Sequence, residues 1–293
     1  MKEQRLYLLG HPVGHSKSAV MYNAAYAAAG FPWRYELRDC PTECDARAVL
    51  DERKFLQVNI TTPYKPLAYE AADERDFVVD LAGGANVLVN RAGRLVAHNT
   101  DGAGCVGFLA REGFRFEGAC VGVCGTGPTA LAILTACAKA RAGEVLLLGR
   151  SAERTRTVLE EWRRRADGLA GLPDVHLHAS SYAEANVGIS SMDLIVDATP
   201  LGMTEGDPAP FDVSLLREGQ WVFDCVYGHG TTAFVAAARK TGCRAYDGAG
   251  MLVGQAVETV RIVERSEGVE TGFDDSALFA LMADAAGFSL DPA

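Results

Sequence analysis

Two residue types suited to moving a proton, a lysine and an aspartate, stand where strand-like runs give way to helix-like ones. Lys65 ends the stretch Asn59-Ile60-Thr61-Thr62-Pro63-Tyr64-Lys65, and Asp101 lies in Asn99-Thr100-Asp101-Gly102. A lysine near the positive end of a helix gains nothing from the dipole, so its placement there invites a chemical reason. Taken singly, Lys65 can equally be a solvated surface residue and Asp101 a helix cap. Brought together, they would form an ionised pair able to share proton transfer. Asn59 and Thr61 alternate onto one face of their strand, at the carboxyl end where open α/β sheets hold ligands. Asn86 opens a hairpin that Asp101 closes. Upstream, Ser16 and Ser18 in His15-Ser16-Lys17-Ser18 precede an alanine-rich helix. Two hydroxyls there can hold a carboxylate against free backbone donors, and Ser18 can equally cap the helix.

A second constellation is built from glycine. Gly125-Thr126-Gly127-Pro128-Thr129-Ala130 follows the apolar strand ACVGVC and opens the helix ALAILTACAKA. This G-x-G-x-x-A turn suits a dinucleotide pyrophosphate. The first glycine makes the sharp turn, the second admits the phosphates, and the small third residue lets helix and strand pack closely. An acid at the end of the next strand would bind the ribose of NAD, but Gly149-Arg150-Ser151 stands there with Arg154 one turn on. Guanidinium forks and a hydroxyl fit a 2′-phosphate, which implies NADP.

The elements that must position these residues alternate between strand-like and helix-like runs. Such alternation predicts an α/β fold with parallel sheets joined by right-handed crossovers. The first series is RLYLLG, a helix from Ser18, WRYELRD, a helix over 43–53, LQVNIT and a longer helix to Leu81, followed by a hairpin of NVLVN and LVAHN around RAGR. The second series runs from ACVGVCG through EVLLLGR, DVHLHAS and DLIVDATP to WVFDCVY. Two late helical segments, 251–264 and 276–286, have no strands left to cover in the second series, so one or both are expected to return to the first domain. The boundary is expected near Asp101-Gly102.

Composition narrows the function further. The 293 residues carry 28 basic and 38 acidic side chains, a net charge of −10, which argues against a nucleic-acid partner. With 48% apolar and 23% charged residues the chain can bury sizeable cores. No apolar run approaches a membrane span, and MKEQRLYLLGHP is too short in its apolar stretch for a secretory signal, so a cytoplasmic protein is expected. The eight cysteines form no C-x-x-C pair and read as reduced, structural thiols.

The segments GHPVGHSKS, NITTPYK, GGANVLVN, NTDG, GTGPTA, GRSAER, DATPLGM, DCVYG and DGAGMLVGQA occur in an order that resembles the shikimate dehydrogenase family across nearly the whole chain. The resemblance implies two domains, an N-terminal three-layer α/β substrate domain (1–101 with 243–293) and a Rossmann-like parallel-sheet NADP domain (102–242), with the ligands held between them. It implies NADPH-dependent reduction of 3-dehydroshikimate to shikimate by a monomer or homodimer, with no metal, membrane or nucleic-acid partner. By motif, Lys65 and Asp101 would be catalytic. Ser16, Ser18, Asn59, Thr61, Asn86, Asp101, Tyr227 and Gln255 would bind substrate. Gly125, Thr126, Gly127, Pro128, Thr129, Ala130, Arg150, Ser151, Arg154, Thr199, Cys225, Gly248 and Met251 would bind the cofactor. A quinate or quinate/shikimate dehydrogenase is the neighbouring possibility, with Ser18 tilting toward shikimate, and a ligand sensor without turnover is the alternative of another class. Gly149 departs from the asparagine common before the cofactor arginine.

Overall fold

Short aliphatic runs bounded by turn residues become strands buried on both faces, and longer runs with apolar residues every three or four positions become the helices that cover them. The structure, a computed structural model, describes residues 2–169, 171–173 and 175–289. It divides into two compact units, Met1–Gly104 with Leu252–Ser289, and Cys105–Met251.

The first unit holds β1 (Gln4–Gly10), α1 (Ser18–Ala28), β2 (Trp33–Asp39), α2 (Glu43–Glu52), β3 (Gln57–Ile60), α3 (Lys65–Ala71), β4 (Glu74–Arg75), α4 (Phe77–Ala82), β5 (Val87–Arg91) and β6 (Arg94–His98). α5 (Asp101–Arg111) begins in it. Its sheet runs β2-β1-β3-β5-β6-β4. The first three strands are parallel, whereas β5 is antiparallel to both β3 and β6, so the sheet is mixed. The tight turn at residues 92 and 93 makes this unavoidable, since a hairpin reverses the chain. One face packs Leu9, Leu50, Val58, Ile60, Leu67 and Leu88 together. On the other side, Tyr22 stacks on Tyr35 with ring centroids 4.4 Å apart.

The single helix expected to reach Leu81 is divided. α3 ends at Ala71, β4 pairs with β6, and α4 starts anew with Asp76 accepting from the Val79 N–H. The intervening Asp73, Glu74 and Asp76 offer no apolar face, and Asp73 instead accepts from Arg53 and from the Leu95 backbone. Local capping outweighs helix propensity there.

The second unit contains β7 (Cys120–Cys124), α6 (Pro128–Lys139), β8 (Glu144–Gly149), α7 (Ala152–Ala166), β9 (His176–Ser181), α8 (Asn186–Ser191), β10 (Leu194–Asp197), β11 (Trp221–Asp224), α9 (Ala233–Lys240) and β12 (Arg244–Tyr246). All six strands are parallel in the order β12-β11-β10-β7-β8-β9, so the winding reverses between β7 and β10. That is where doubly wound sheets bind ligands, at the carboxyl ends of the strands. Ile189, Met192, Phe234 and Val235 cover one face. On α7, Trp162 donates to Thr135 of α6 at 3.0 Å.

Strand β12 pairs with β11, which keeps residues 244–246 in this unit. The boundary expected at 242/243 from the sequence therefore falls later, since this unit runs to Met251. α10 (Ala249–Glu267) begins in this unit, and its remainder, with α11 (Asp275–Ala286), belongs to the first. At the crossing of α10 and α5, a Cβ on Gly104 would lie 2.5 Å from the Gln255 backbone nitrogen, so only glycine allows that approach. All eight cysteines are free thiols. Among the described residues no helix is long and apolar enough to cross a membrane.

Candidate active site

Lys65 is the first residue of α3, reached through a turn in which the Tyr64 N–H donates to the Thr61 carbonyl. The Tyr64 hydroxyl is anchored on the Cys40 carbonyl at 2.7 Å, which fixes the start of the helix. The Lys65 ammonium, its side chain 16% exposed, donates to Asp101 Oδ2 at 2.5 Å, and the Asp101 side chain is 7% exposed. The dipole that disfavours a lysine here favours the carboxylate at the first position of α5. Water is largely excluded, so the attraction is stronger than that of a surface pair.

A polar network holds the aspartate. Asn86 donates to Asp101 Oδ1 at 2.8 Å and to Thr100 Oγ1 at 2.9 Å, while its own Oδ1 accepts from the Thr100 backbone at 2.8 Å and from the Thr100 hydroxyl. Both N–H bonds of that amide are committed. Asn99 Oδ1 accepts from the Asp101 backbone. Beneath lies Asn59, whose Oδ1 accepts from the Tyr35 hydroxyl and Gln57 Nε2, both at 2.8 Å, and whose Nδ2 donates weakly to the Asn86 carbonyl and Thr259.

Asn86 thus holds Asp101 directly, and Asn59 supports the Asn86 backbone from beneath. Gln255 differs: Oε1 accepts from Thr100 at 3.4 Å and Nε2 donates to the Leu252 carbonyl, which leaves one donor and one lone pair available. The Thr61 hydroxyl makes no hydrogen bond among the described residues and is partly exposed.

The two serines lie at the start of α1. Ser18 does not cap α1; Lys17 holds the N-cap position, and Ser16 Oγ accepts from the Ser18 N–H at 3.2 Å. Ser16 also donates to Ser18 Oγ at 3.1 Å. The Ser18 proton thus remains free to point at a ligand beside the helix's unsatisfied N–H groups. Tyr227 lies in the second unit, half-buried in the segment after β11.

In that unit the glycine turn has the form a pyrophosphate requires. Gly125 has φ +111°, and a Cβ on it would meet the Ala198 carbonyl at 3.1 Å and Ala130 at 3.5 Å. Ala130 is fully buried, as the small third residue must be. Gly127 caps α6 at φ −90°, a value open to any residue, and a Cβ there would meet no protein atom within 4 Å. Neither conformation nor packing requires glycine at 127, and the space beside it is open. Pro128 opens the helix, flanked by the partly exposed Thr126 and Thr129.

Arg150, Ser151 and Arg154 are exposed at the end of β8 and the start of α7, where Ser151 Oγ caps the helix by accepting from the Arg154 N–H. At Gly149 a Cβ would fall 2.4 Å from Thr155 Oγ1 and 3.3 Å from Thr126, so an asparagine there is incompatible with Thr155. The Thr199 N–H donates to Asp197, and a Cβ on Gly248 would lie 2.2 Å from the Cys225 carbonyl, so these loops are tightly fitted. Met251 is buried. The turn and the arginines fit a phosphorylated dinucleotide. Sequence reasoning missed Thr100 and Thr259, although Thr100 lies within NTDG and Thr259 is one helical turn beyond Gln255.

The description "shikimate dehydrogenase substrate binding domain" matches residues 8–88. A shikimate dehydrogenase (NADP(+)) of Rubrobacter xylanophilus is 38% identical over 258 residues, covering 87% of this chain and 88% of the relative. A quinate/shikimate dehydrogenase of Escherichia coli is 30% identical, covering 88% and 90%. The crystal structure of a shikimate 5-dehydrogenase of Thermus thermophilus, in complex with NADP(H) and shikimate, superposes with a TM-score of 0.78 at 28% identity over 96% of this chain and 99% of that one.

Proposed function

The chain belongs to the shikimate dehydrogenase family, and on that premise we propose that it is an NADP-dependent oxidoreductase interconverting 3-dehydroshikimate and shikimate. The observation that carries this reading is the Lys65–Asp101 contact at 2.5 Å, with the second carboxylate oxygen held by Asn86. An amine and a carboxylate fixed against each other are what reduction of a ketone needs from a protein.

Gly125, Gly127, Arg150, Ser151 and Arg154 would hold the dinucleotide, which would supply the hydride when bound. Lys65 donates the proton to the oxygen of the reacting carbon and takes it back in the reverse direction. Asp101 keeps the ammonium in place and orients the same oxygen. Negative charge on that oxygen grows as the reaction proceeds, so a pre-positioned ammonium stabilises the transition state more than the ground state. Ser16, Ser18 and the start of α1 hold the substrate carboxylate, and Thr61 and Gln255 hold ring hydroxyls.

The test is loss of the reduced-nicotinamide absorbance when 3-dehydroshikimate is added to protein and NADPH, repeated in reverse with shikimate and quinate and with NAD in place of NADP. Turnover with shikimate well above quinate is expected. NADPH binding with no turnover would make the chain a ligand sensor, and faster turnover of quinate would make it a quinate dehydrogenase.

A further inference from the structure

Two aspartates outside the machinery above close neighbouring strands of the second unit. Asp197 ends β10, Asp224 ends β11, and they are paired in parallel register, so their side chains share one face of the sheet. Cys124 of β7 stands level with Asp197 on the other side, at the point where the winding reverses. Both aspartates are 0% exposed. Asp224 is fully engaged, Oδ1 accepting from the Val226 N–H at 2.9 Å and Oδ2 from the Thr232 hydroxyl at 2.6 Å. Asp197 Oδ1 accepts from the Thr199 N–H at 2.9 Å, but its Oδ2 has no partner among the described residues.

Among the described residues no cation answers this pair. The titratable groups acting on it are the Cys124 thiol from β7, the Tyr182 hydroxyl after β9 and the Asp247 carboxylate after β12, while α9 contributes only the uncharged Thr232. Arg150 acts on Tyr182 and is itself exposed. Two buried carboxylates level with each other, with no counter-charge among the described residues, cannot both stay ionised cheaply. Burial, and then the neighbouring Asp224, push the Asp197 carboxyl up to about 7. Burial takes Asp224 to about 6.

We propose that Asp197 and Asp224 share one proton, seated on Asp197, and that this proton holds the loops beginning at Ala198 and Cys225 in the form that accepts the dinucleotide. Asp197 folds back Thr199, and Asp224 folds back Val226 and docks Thr232, so each carboxyl is the hub of one loop. Asp224 uses both oxygens as acceptors and, with the lower of the two values, is the member that ionises first. Asp197 has the oxygen to spare and carries the hydrogen. Losing it leaves a second buried charge beside the turn that receives an anionic pyrophosphate. Asp197 is thus a positioning residue for the cofactor half of the reaction. Only the identity of the ligand rests on the functional reading above.

The sign follows from linkage. The folded value lies above the ordinary value near 3.8, so the contribution is complete in acid and is lost as pH rises through about 7. Asp197→Asn replaces the protonated acid by an amide that is neutral at every pH and still accepts from Thr199.

The experiment compares full-length wild type and Asp197→Asn between about pH 5.5 and 8.5, by NADPH titration and by thermal melting without ligand. The ratio of the two affinities removes the ligand's own ionisation. Equal affinity in acid is expected, with the wild type about three- to tenfold weaker at the alkaline end and its Tm falling by several degrees relative to the variant. Parallel affinity curves overturn the proposed role in dinucleotide binding, even if the melting curves diverge. If neither protein binds NADPH, the functional reading fails and melting judges the shared proton alone. Should the variant not fold, the infrared band of a protonated carboxyl in the wild type decides: it must be present near pH 6 and gone by about 8.5, and its absence at the lower pH overturns the proposal.

Discussion

Each unit of this protein carries a buried carboxylate beside a strand end, and the two are satisfied in opposite ways. Asp101 has an ammonium on one oxygen and an amide on the other. Asp197 has a backbone N–H on one oxygen and, among the described residues, no partner on the other. The first arrangement keeps a charge ready for use; the second suppresses one. The units also differ in what sets their geometry. Around Lys65 it is a lattice of side-chain hydrogen bonds, so changing a functional group should alter chemistry. Around Gly125 it is backbone shape, so adding atoms should matter more than removing groups.

The most severe way to probe this contrast is Lys65→Ala, for which turnover is expected to fall by ~10²–10⁴-fold with a smaller change in substrate affinity. Steady-state kinetics check it, and turnover within tenfold of wild type would remove Lys65 from proton transfer. Asp101→Asn keeps the shape but leaves the ammonium without its counter-charge, and a loss of about 10²–10³-fold in kcat is expected.

In the second unit, Arg150→Ala with Arg154→Ala should weaken NADP by about ten- to a hundredfold while leaving NAD nearly unchanged, measured by titration of each. Gly127→Ser retains a good helix cap and its Cβ meets no protein atom within 4 Å, so Tm should hold within about 2 °C while dinucleotide affinity drops about tenfold. A fall in Tm with intact affinity would show that the glycine serves the fold instead. The smallest effect is expected for Thr259→Val, which removes a hydroxyl that accepts weakly from Asn59 and donates to the Gln255 carbonyl of its own helix, and should cost about threefold in kcat, with KM unchanged.

Much of this was legible in the chain because its signals are local. A strand, a G-x-G-x-x-A turn and a helix in immediate succession declare a phosphate site through conformation and packing that neighbouring residues impose. The arginines after β8 and the hairpin around Ala92-Gly93 are equally local. What chain order does not show is which distant residues meet. Tyr35 and Thr259 surround the Asn59 amide, and Lys17 rather than Ser18 holds the N-cap position of α1. Residues 72–76 pass for helix until β6 supplies a strand partner.

From the amino acids alone came the kinds of element, their order, the phosphate turn and the short roster of groups able to transfer a proton. Tertiary structure decided which of those groups meet. Lys65 and Asp101 are 36 residues apart, and Asp197 and Asp224 come level only through the register of β10 and β11. Hydrogen bonding and charge act over a few ångströms, while chain order says little about distance across a folded sheet. The state of a carboxylate, charged or proton-bearing, therefore follows from neighbours that only folding brings within reach.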